Sequence, residues 1–205
     1  MKRPAPPSRE EIAGLEPYEG LGLEQVRLVA TAEEARQALA EMQAHEALGF
    51  DTESRPTFVK NQRSGGPHVL QFATPELAYI FQSHYRECHP VIAEVLESGR
   101  IAKIGFGLSN DLRHLGDRFG IEPKAIVDLD RAFMDLWYKN QVGAKAAVAI
   151  LLNRKFAKSK STTTSDWSSR VLSARQLLYA ANDAYAAIQV FNALKRAERH
   201  GQREE

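Results

Sequence analysis

The feature that most constrains the fold is an apolar segment that runs directly into two acidic residues. Residues 47–53 read Ala-Leu-Gly-Phe-Asp-Thr-Glu. The apolar start predicts a core strand, and the alternation of side chains along a strand directs Asp51 and Glu53 to the same face. Two neighbouring anions in a low-dielectric site need solvent, hydrogen bonds or a hard cation as compensation. From this segment alone, a metal site and a solvated strand end both remain open.

A second acidic position lies near the other end of the chain, in a segment rich in helix formers. Residues 173–187 predict a helix with Ser173 as its N-cap. A spacing of four residues places Tyr179 and Asp183 side by side on that helix. A tyrosine packed in the core beside a surface acid would explain this pair without any catalytic role, so both interpretations stay open.

A third acidic element lies midway along the chain. Residues 101–115 predict a strand, a glycine turn and then a helix. Ser109 or Asn110 is a suitable N-cap, which places Asp111 in the first turn of the helix. The helix macrodipole favours an anion there and accounts for Asp111 without a metal. This element becomes functional only if the fold brings it beside the other two.

In order and in flanking sequence, these motifs resemble those of the DEDDy-type 3′-5′ exonucleases, particularly the Werner syndrome exonuclease and RNase D branch. The similar region covers roughly residues 27–198. The motifs that carry the resemblance are residues 50–53, residues 103–115, the pair Tyr179 and Asp183, and the additional stretches 126–129, Lys158 and 165–172. The resemblance implies an α/β, RNase H-like fold: a single domain with a mixed β-sheet flanked by helices.

The resemblance also implies a metal-dependent 3′-5′ exonuclease that releases nucleoside 5′-monophosphates. Two divalent cations, Mg²⁺ or Mn²⁺, would lie about 3.5–4 Å apart, held by Asp51, Glu53, Asp111 and Asp183. Tyr179 would orient the attacking water, because a phenol with a reference pKa of about 10 is a poor general base at neutral pH. Reference pKa values of about 4 predict that all the carboxylates are ionised at neutral pH.

The expected partner is single-stranded or 3′-recessed nucleic acid. Similarity of residues 51–58 to the Werner-type branch favours DNA, with RNA possible. A formal net charge of +1 predicts a local basic patch rather than a broadly basic surface. The candidate residues for contact with nucleic acid are Phe58, which could stack on a base, and the cations Arg154, Lys155, Lys158 and Lys160. Core packing of the aromatic ring and solvation of the cations are equally open.

A function from another class is the alternative: a non-catalytic nucleic-acid-binding or scaffolding module that retains the exonuclease fold. The intact acidic set opposes it. A zinc site at His84, Cys88 and His89 is disfavoured because a fourth ligand at a suitable spacing is missing.

Length and composition favour one globular domain of 205 residues, with 43% hydrophobic and 26% charged residues. We expect residues 1–24, which are rich in proline and charge, to be a flexible or strapping arm, and residues 25–205 to be the exonuclease domain. A lone cysteine and the lack of a signal-peptide core or a membrane-length apolar run predict a cytoplasmic protein. The sequence does not indicate an oligomeric state.

Hydrophobic periodicity predicts the remaining elements. Helices are expected at residues 32–47, behind a Thr31 cap, and 90–98, and strands at residues 27–30, 69–73, 77–81, 102–105 and 126–129. We expect the first three strands of the chain to form a meander and the later strands to alternate with helices.

Overall fold

A six-stranded mixed sheet forms the centre of the structure, a computed structural model that describes residues 5–57, 65–136, 138 and 141–201. The strands are β1 (Val26–Val29), β2 (Ala47–Glu53), β3 (Val69–Ala73), β4 (Ala78–Gln82), β5 (Ala102–Gly105) and β6 (Ile126–Asp128). The predictions for β2, β3 and β5 are confirmed to the residue. The predicted bounds of β1 and β4 are shifted by one residue at both ends, and the predicted β6 is one residue too long at its carboxyl end.

Helices cover both faces of this sheet. They are α1 (Arg9–Ala13), α2 (Ala32–Met42), α3 (His89–Glu97), α4 (Ser109–Phe119), α5 (Leu129–Leu136), α6 (Ala144–Leu152), α7 (Lys160–Thr163) and α8 (Ala174–Gly201), with short 3-10 turns at Leu23–Gln25 and Arg86–Cys88. Among the described residues, no helix combines the length and the apolar character that a membrane crossing requires.

The order of strands across the sheet is β1-β4-β3-β2-β5-β6. Strands β2, β3 and β4 form an antiparallel meander, whereas β5 pairs parallel to β2 and β6 parallel to β5. The prediction that the first three strands form the meander is wrong, because β1 crosses to the far edge and pairs parallel to β4. The mixed sheet flanked by helices is confirmed.

A side-chain cap explains where α2 begins but not where α4 begins. Thr31 caps α2 as predicted, since its hydroxyl accepts a hydrogen bond from the Glu34 amide at 3.2 Å. This helix ends at Met42 rather than at residue 47, since Ala47 already belongs to β2. The predicted cap of α4 is wrong: Leu108 is the N-cap residue, and neither Ser109 nor Asn110 caps the helix.

The sheet separates two hydrophobic cores. Along β3, Leu70 and Phe72 face the core beneath α2 and α3, while Val69 and Ala73 face the core beneath α6 and α8. This alternation is the period of two expected of a strand buried on both faces. Both sides of the central strands are therefore covered, and the acidic side chains Asp51 and Glu53 lie at the carboxyl end of β2.

Gly49 allows helix α8 to lie unusually close to strand β2. A Cβ atom at Gly49 would be 1.9 Å from the carbonyl oxygen of Ala184 and 3.2 Å from the amide nitrogen of Ile188. Both contacts are to the helix backbone, which cannot move aside as a flexible side chain can. Glycine within a strand commonly marks such a close approach. The approach brings Asp183, which precedes Ala184, over the strand that carries Asp51.

A segment before β1 crosses the same helix. The Leu21 amide donates to Asn182 Oδ1 at 2.7 Å, and the Tyr18 amide donates to the Lys155 carbonyl at 3.0 Å. The ring of Tyr18 meets Phe156 edge to face at a centroid distance of 5.5 Å. These contacts attach residues 16–21 to α8 and to the loop before α7. The division of the chain into an arm of residues 1–24 and a domain of residues 25–205 stays a prediction.

We predict that Gly49→Ala lowers the free energy of unfolding by about 3 kcal/mol, because the added methyl group overlaps the α8 backbone. Urea denaturation monitored by circular dichroism measures the change. Gly99→Ala is the matched control, since a Cβ at Gly99 meets no atom within 4 Å. Equal stability of the two variants would contradict the close approach.

Candidate metal centre and active site

Three carboxylates from distant parts of the sequence meet at the carboxyl end of β2. Asp51 and Glu53 extend from one face of that strand, and Asp183 reaches them from α8. One oxygen atom from each residue lies within 4.8 Å of the others. An all-oxygen set of this kind suits hard divalent cations such as Mg²⁺ and Mn²⁺. We refer to these three residues as the carboxylate cluster.

Asp111 approaches the carboxylate cluster from helix α4. The hydroxyl of Thr52 donates to Asp111 Oδ1 at 2.5 Å and so fixes this carboxylate beside the end of β2. Its charge acts on both Asp51 and Glu53 and raises their pKa values further. Asp111 lies outside the group of oxygens within 4.8 Å, so it is a neighbour of the cluster rather than part of its centre.

Asp128 has a structural position next to α4. Its carboxylate accepts hydrogen bonds from the backbone amides of Gly107 and Leu108, both at 3.0 Å, and from that of Asp130 at 3.1 Å. The amides of Gly107 and Leu108 lie before and at the start of α4, where a side-chain cap would otherwise satisfy them, and Asp130 lies in the first turn of α5. Asp128 therefore holds the turn that leads to Asp111.

Lys158 points into the carboxylate cluster. Its Nζ atom lies 2.8 Å from Asp183 Oδ2, and the Lys158 side chain is 29% exposed. The other cations of the predicted basic patch differ: Arg154 and Lys160 are exposed, and Lys155 Nζ donates to the Ala13 carbonyl at 3.2 Å. Their contact with nucleic acid stays a prediction, and Phe58 lies outside the described residues.

Tyr179 lies with its hydroxyl at the edge of the cluster. Its hydroxyl oxygen is 2.8 Å from Thr163 Oγ1, and the phenol lowers the pKa of the Asp183 carboxyl. The ring packs 5.8 Å from that of Trp167, centroid to centroid. Burial and the charge of Asp183 raise the pKa of Tyr179 to about 12. The phenol thus stays protonated at neutral pH and can donate or accept a hydrogen bond.

Burial dominates the electrostatics of the cluster. It raises the pKa of Asp51 to about 8, and repulsion from Asp183 adds to this. Burial and the charge of Asp51 raise the pKa of Glu53 to about 9. Burial also raises the pKa of Asp183, although the Lys158 ammonium opposes the shift. The expectation that reference values hold and that every carboxylate is ionised at neutral pH is therefore wrong for the metal-free chain.

This electrostatic environment fits divalent metal. A buried set of mutually repelling carboxylates is unfavourable unless cations neutralise it. Bound cations would reverse the local pKa shifts and favour the ionised oxygens that serve as ligands. The residues present thus match the metal that the sequence resemblance implies, while the identity of the cation stays a prediction.

Sequence reasoning missed three residues that shape this site. Gly49 permits the approach of α8, Thr52 holds Asp111, and Gln71 lies directly opposite Asp51 in the β2–β3 register, fully buried. Two of them carried a signal in the sequence: Gly49 is a glycine within a strand, and Gln71 is a glutamine within an apolar strand.

The alternative zinc site does not form. The Cys88 thiol is buried 3.6 Å from the Thr31 carbonyl and 3.8 Å from that of Val29, while His89 Nε2 lies 2.8 Å from the Ser83 carbonyl. Within the described residues, the carboxylate cluster is the one group of acidic, histidine or cysteine side chains arranged to hold a metal.

Comparison with known proteins identifies similar chains. A "3′-5′ exonuclease" of Arabidopsis thaliana is 27% identical over 153 residues, which cover 72% of this chain and 52% of that protein. The mouse "Bifunctional 3′-5′ exonuclease/ATP-dependent helicase WRN" is 28% identical over 151 residues, 73% of this chain and 11% of that protein. The chain thus spans about half or less of the length of these relatives.

Solved structures share the fold. The Aedes aegypti Nibbler EXO domain superposes with a TM-score of 0.74 at 21% identity, covering 90% of this chain and 94% of that one. Trypanosoma brucei RNase D in complex with RNA U12 gives a TM-score of 0.73 at 19% identity, covering 82% of this chain and 62% of that one. These likenesses establish the RNase H-like fold.

The family itself is identified from the sequence. The 3′-5′ exonuclease family profile matches residues 26–197, a range that begins with β1 and contains all the acidic residues described above. It thus covers most of the chain's 205 residues. The chain belongs to the 3′-5′ exonuclease family.

Proposed function

We propose that this chain is a metal-dependent 3′-5′ exonuclease of the DEDDy type, which releases nucleoside 5′-monophosphates from the 3′ ends of nucleic acids. The observation that carries the proposal is the meeting of Asp51, Glu53 and Asp183 within 4.8 Å, in a chain that matches the family profile. Their burial and repulsion give these residues a stability cost that metal binding would relieve.

The four acidic residues divide into two metal positions in this proposal. Asp51, Glu53 and Asp183 would hold the first cation, and Asp51 and Asp111 would hold the second. When bound, such a pair of cations lowers the pKa of a water molecule and stabilises charge on the leaving 3′ oxygen. The hydrogen bond from Thr52 supports the role of Asp111, because it sets the orientation of that carboxylate.

Tyr179 would orient the attacking water. Its hydroxyl hydrogen-bonds to Thr163, which fixes the phenol next to the carboxylate cluster, where it lowers the pKa of Asp183. A pKa of about 12 makes proton abstraction by a phenolate ineffective at neutral pH. Positioning by hydrogen bonding is therefore the role that its chemistry supports.

The substrate is proposed to be a single-stranded or 3′-recessed nucleic acid. The exposed cations Arg154 and Lys160 lie on either side of Lys158 in the sequence, so they are suited to contact backbone phosphates near the cluster. Similarity of residues 51–58 to the Werner-type branch favours DNA, whereas Trypanosoma brucei RNase D, which shares the fold, was solved with RNA U12. The first assay therefore compares DNA with RNA strands, which the 2′-hydroxyl distinguishes.

We predict a metal-dependent ladder of shortened products from single strands labelled at the 5′ end. Asp51→Ala and Asp183→Ala should abolish it, and Asp117→Asn, an exposed acid of α4, should leave it intact. Gel electrophoresis of matched DNA and RNA strands, with Mg²⁺, Mn²⁺ or EDTA, measures cleavage and names the faster substrate.

A wild-type chain that binds these strands without shortening them would contradict the exonuclease proposal. That outcome would instead support the alternative of a non-catalytic nucleic-acid-binding or scaffolding module. Persistence of the ladder in both alanine variants would indicate a contaminating nuclease.

We predict that Asp51→Asn stabilises the metal-free protein at neutral pH. Folding raises the pKa of Asp51, so the folded state must either protonate this carboxyl or keep a buried charge, whereas asparagine avoids both costs and keeps an oxygen to accept the Thr52 amide at 2.8 Å. The midpoint of thermal unfolding in EDTA should rise by about 2–4 °C. Mg²⁺ should then raise the midpoint of the wild type but not that of the variant. A fall in the EDTA midpoint of the variant, or no response of the wild type to Mg²⁺, would argue against the metal centre.

We predict that Tyr179→Phe lowers kcat about 100-fold with little change in KM, since it removes only the hydroxyl that orients water. Steady-state kinetics on a 5′-labelled strand measure both parameters. Tyr185→Phe, a change of the same kind on α8 outside the cluster, is the control. Unchanged kcat in Tyr179→Phe would exclude the proposed role.

A further inference from the structure

Lys158 brings a positive charge to the centre of the carboxylate cluster. Its Nζ atom is 2.8 Å from Asp183 Oδ2, and the Asp183 side chain is only 3% exposed. A solvated surface pair would contribute little, but this pair lies in a buried acidic site where charges are weakly screened. The ammonium therefore places a positive charge at the carboxylate cluster, where the proposed function places a divalent metal.

The groups around the Lys158 ammonium are mostly anionic. Asp183 and Asp51 attract it most strongly and raise its pKa against the opposing effect of burial, and its charge also acts on Glu53. The rings of Phe156 and Tyr179 lie 5.8 and 5.9 Å from the Nζ atom. From α6, Lys145 acts on Asp183 with the same sign as Lys158.

The backbone next to Lys158 is anchored independently of the ammonium. The Ser159 hydroxyl accepts from the Thr162 amide at the start of α7, and Arg175 donates to the same hydroxyl at 2.6 Å. The long aliphatic stem of a lysine can then carry its charged head to a new partner without rearranging the loop.

Charge balance argues that the ammonium leaves when metal enters. Asp51, Glu53, Asp111 and Asp183 carry one negative charge each when ionised, four in all, and two divalent cations carry four positive charges. With Lys158 retained, one positive charge is in excess. An anionic phosphodiester would take up that charge, so the substrate offers the ammonium a partner that the metal-loaded carboxylates no longer provide.

We propose that Lys158 is an internal counter-ion that competes with divalent metal for Asp183 and passes to the substrate phosphate when metal binds. This inference rests on the proposed function. It assigns Lys158 two successive partners, first a carboxylate and then a phosphate, rather than a fixed place in a basic patch. In the metal-free enzyme, Lys158 thus positions the Asp183 carboxylate.

The first test is the affinity of the full chain for Mn²⁺, measured by isothermal titration calorimetry. Lys158→Gln should bind Mn²⁺ about tenfold more tightly than the wild type, because it removes a competing positive charge beside the ligands. Lys160→Gln removes the same charge from an exposed neighbouring position and should leave the affinity unchanged. An equal or weaker affinity of Lys158→Gln would overturn the proposal.

A second test uses the wild type alone, so it does not depend on the folding of a variant. N-hydroxysuccinimide acetate modifies lysine amines, and peptide mass spectrometry gives the rate at each position. Mn²⁺ should accelerate modification of Lys158 several-fold and leave Lys160 unaffected. Adenosine 5′-monophosphate added with Mn²⁺ should slow Lys158 again. A Lys158 rate that Mn²⁺ does not raise would refute the exchange.

The outcomes separate this inference from the proposed function. If Mn²⁺ binding is lost in Asp51→Ala but has the same affinity in Lys158→Gln as in the wild type, the metal centre stands and the counter-ion role fails. If the wild type and Asp51→Ala take up Mn²⁺ equally, the metal centre itself fails.

Discussion

The site depends on the close approach of helix α8 to strand β2. Gly49 lets the helix backbone lie against the strand, which brings Asp183 from one end of the sequence to Asp51 and Glu53 near the other. The resulting set of carboxylates is buried and mutually repelling, so the fold maintains an electrostatic strain at the place where the chemistry is proposed. Enzymes are commonly less stable at their functional sites because activity requires arrangements that stability alone would not favour.

Much of this arrangement could be predicted from sequence, because local patterns control it. The apolar run and acidic pair predicted β2 to the residue, and the helix pattern with a spacing of four put Tyr179 beside Asp183. The RNase H-like sheet followed from a family resemblance rather than from periodicity. Each acidic element alone was compatible with an ordinary structural role, and only their convergence in space distinguishes the site.

The remaining features depend on contacts between distant segments, which local patterns do not encode. The parallel pairing of β1 with β4 joins two strands that β2 and β3 separate along the chain, and the start of α4 is held by Asp128 rather than by a local cap. The partner of Lys158 and the raised pKa values of Asp51 and Glu53 arise from burial that only the assembled fold creates. Reference pKa values fail for that reason.

The proposed function requires a two-metal centre built from these carboxylates at the end of β2. Diffraction from crystals grown with Mn²⁺, recorded at the manganese absorption edge, would locate bound manganese. We expect two anomalous peaks about 3.5–4 Å apart, one among Asp51, Glu53 and Asp183 and one between Asp51 and Asp111. Peaks elsewhere on the chain, or less than full manganese occupancy at both of these positions, would contradict the two-metal centre.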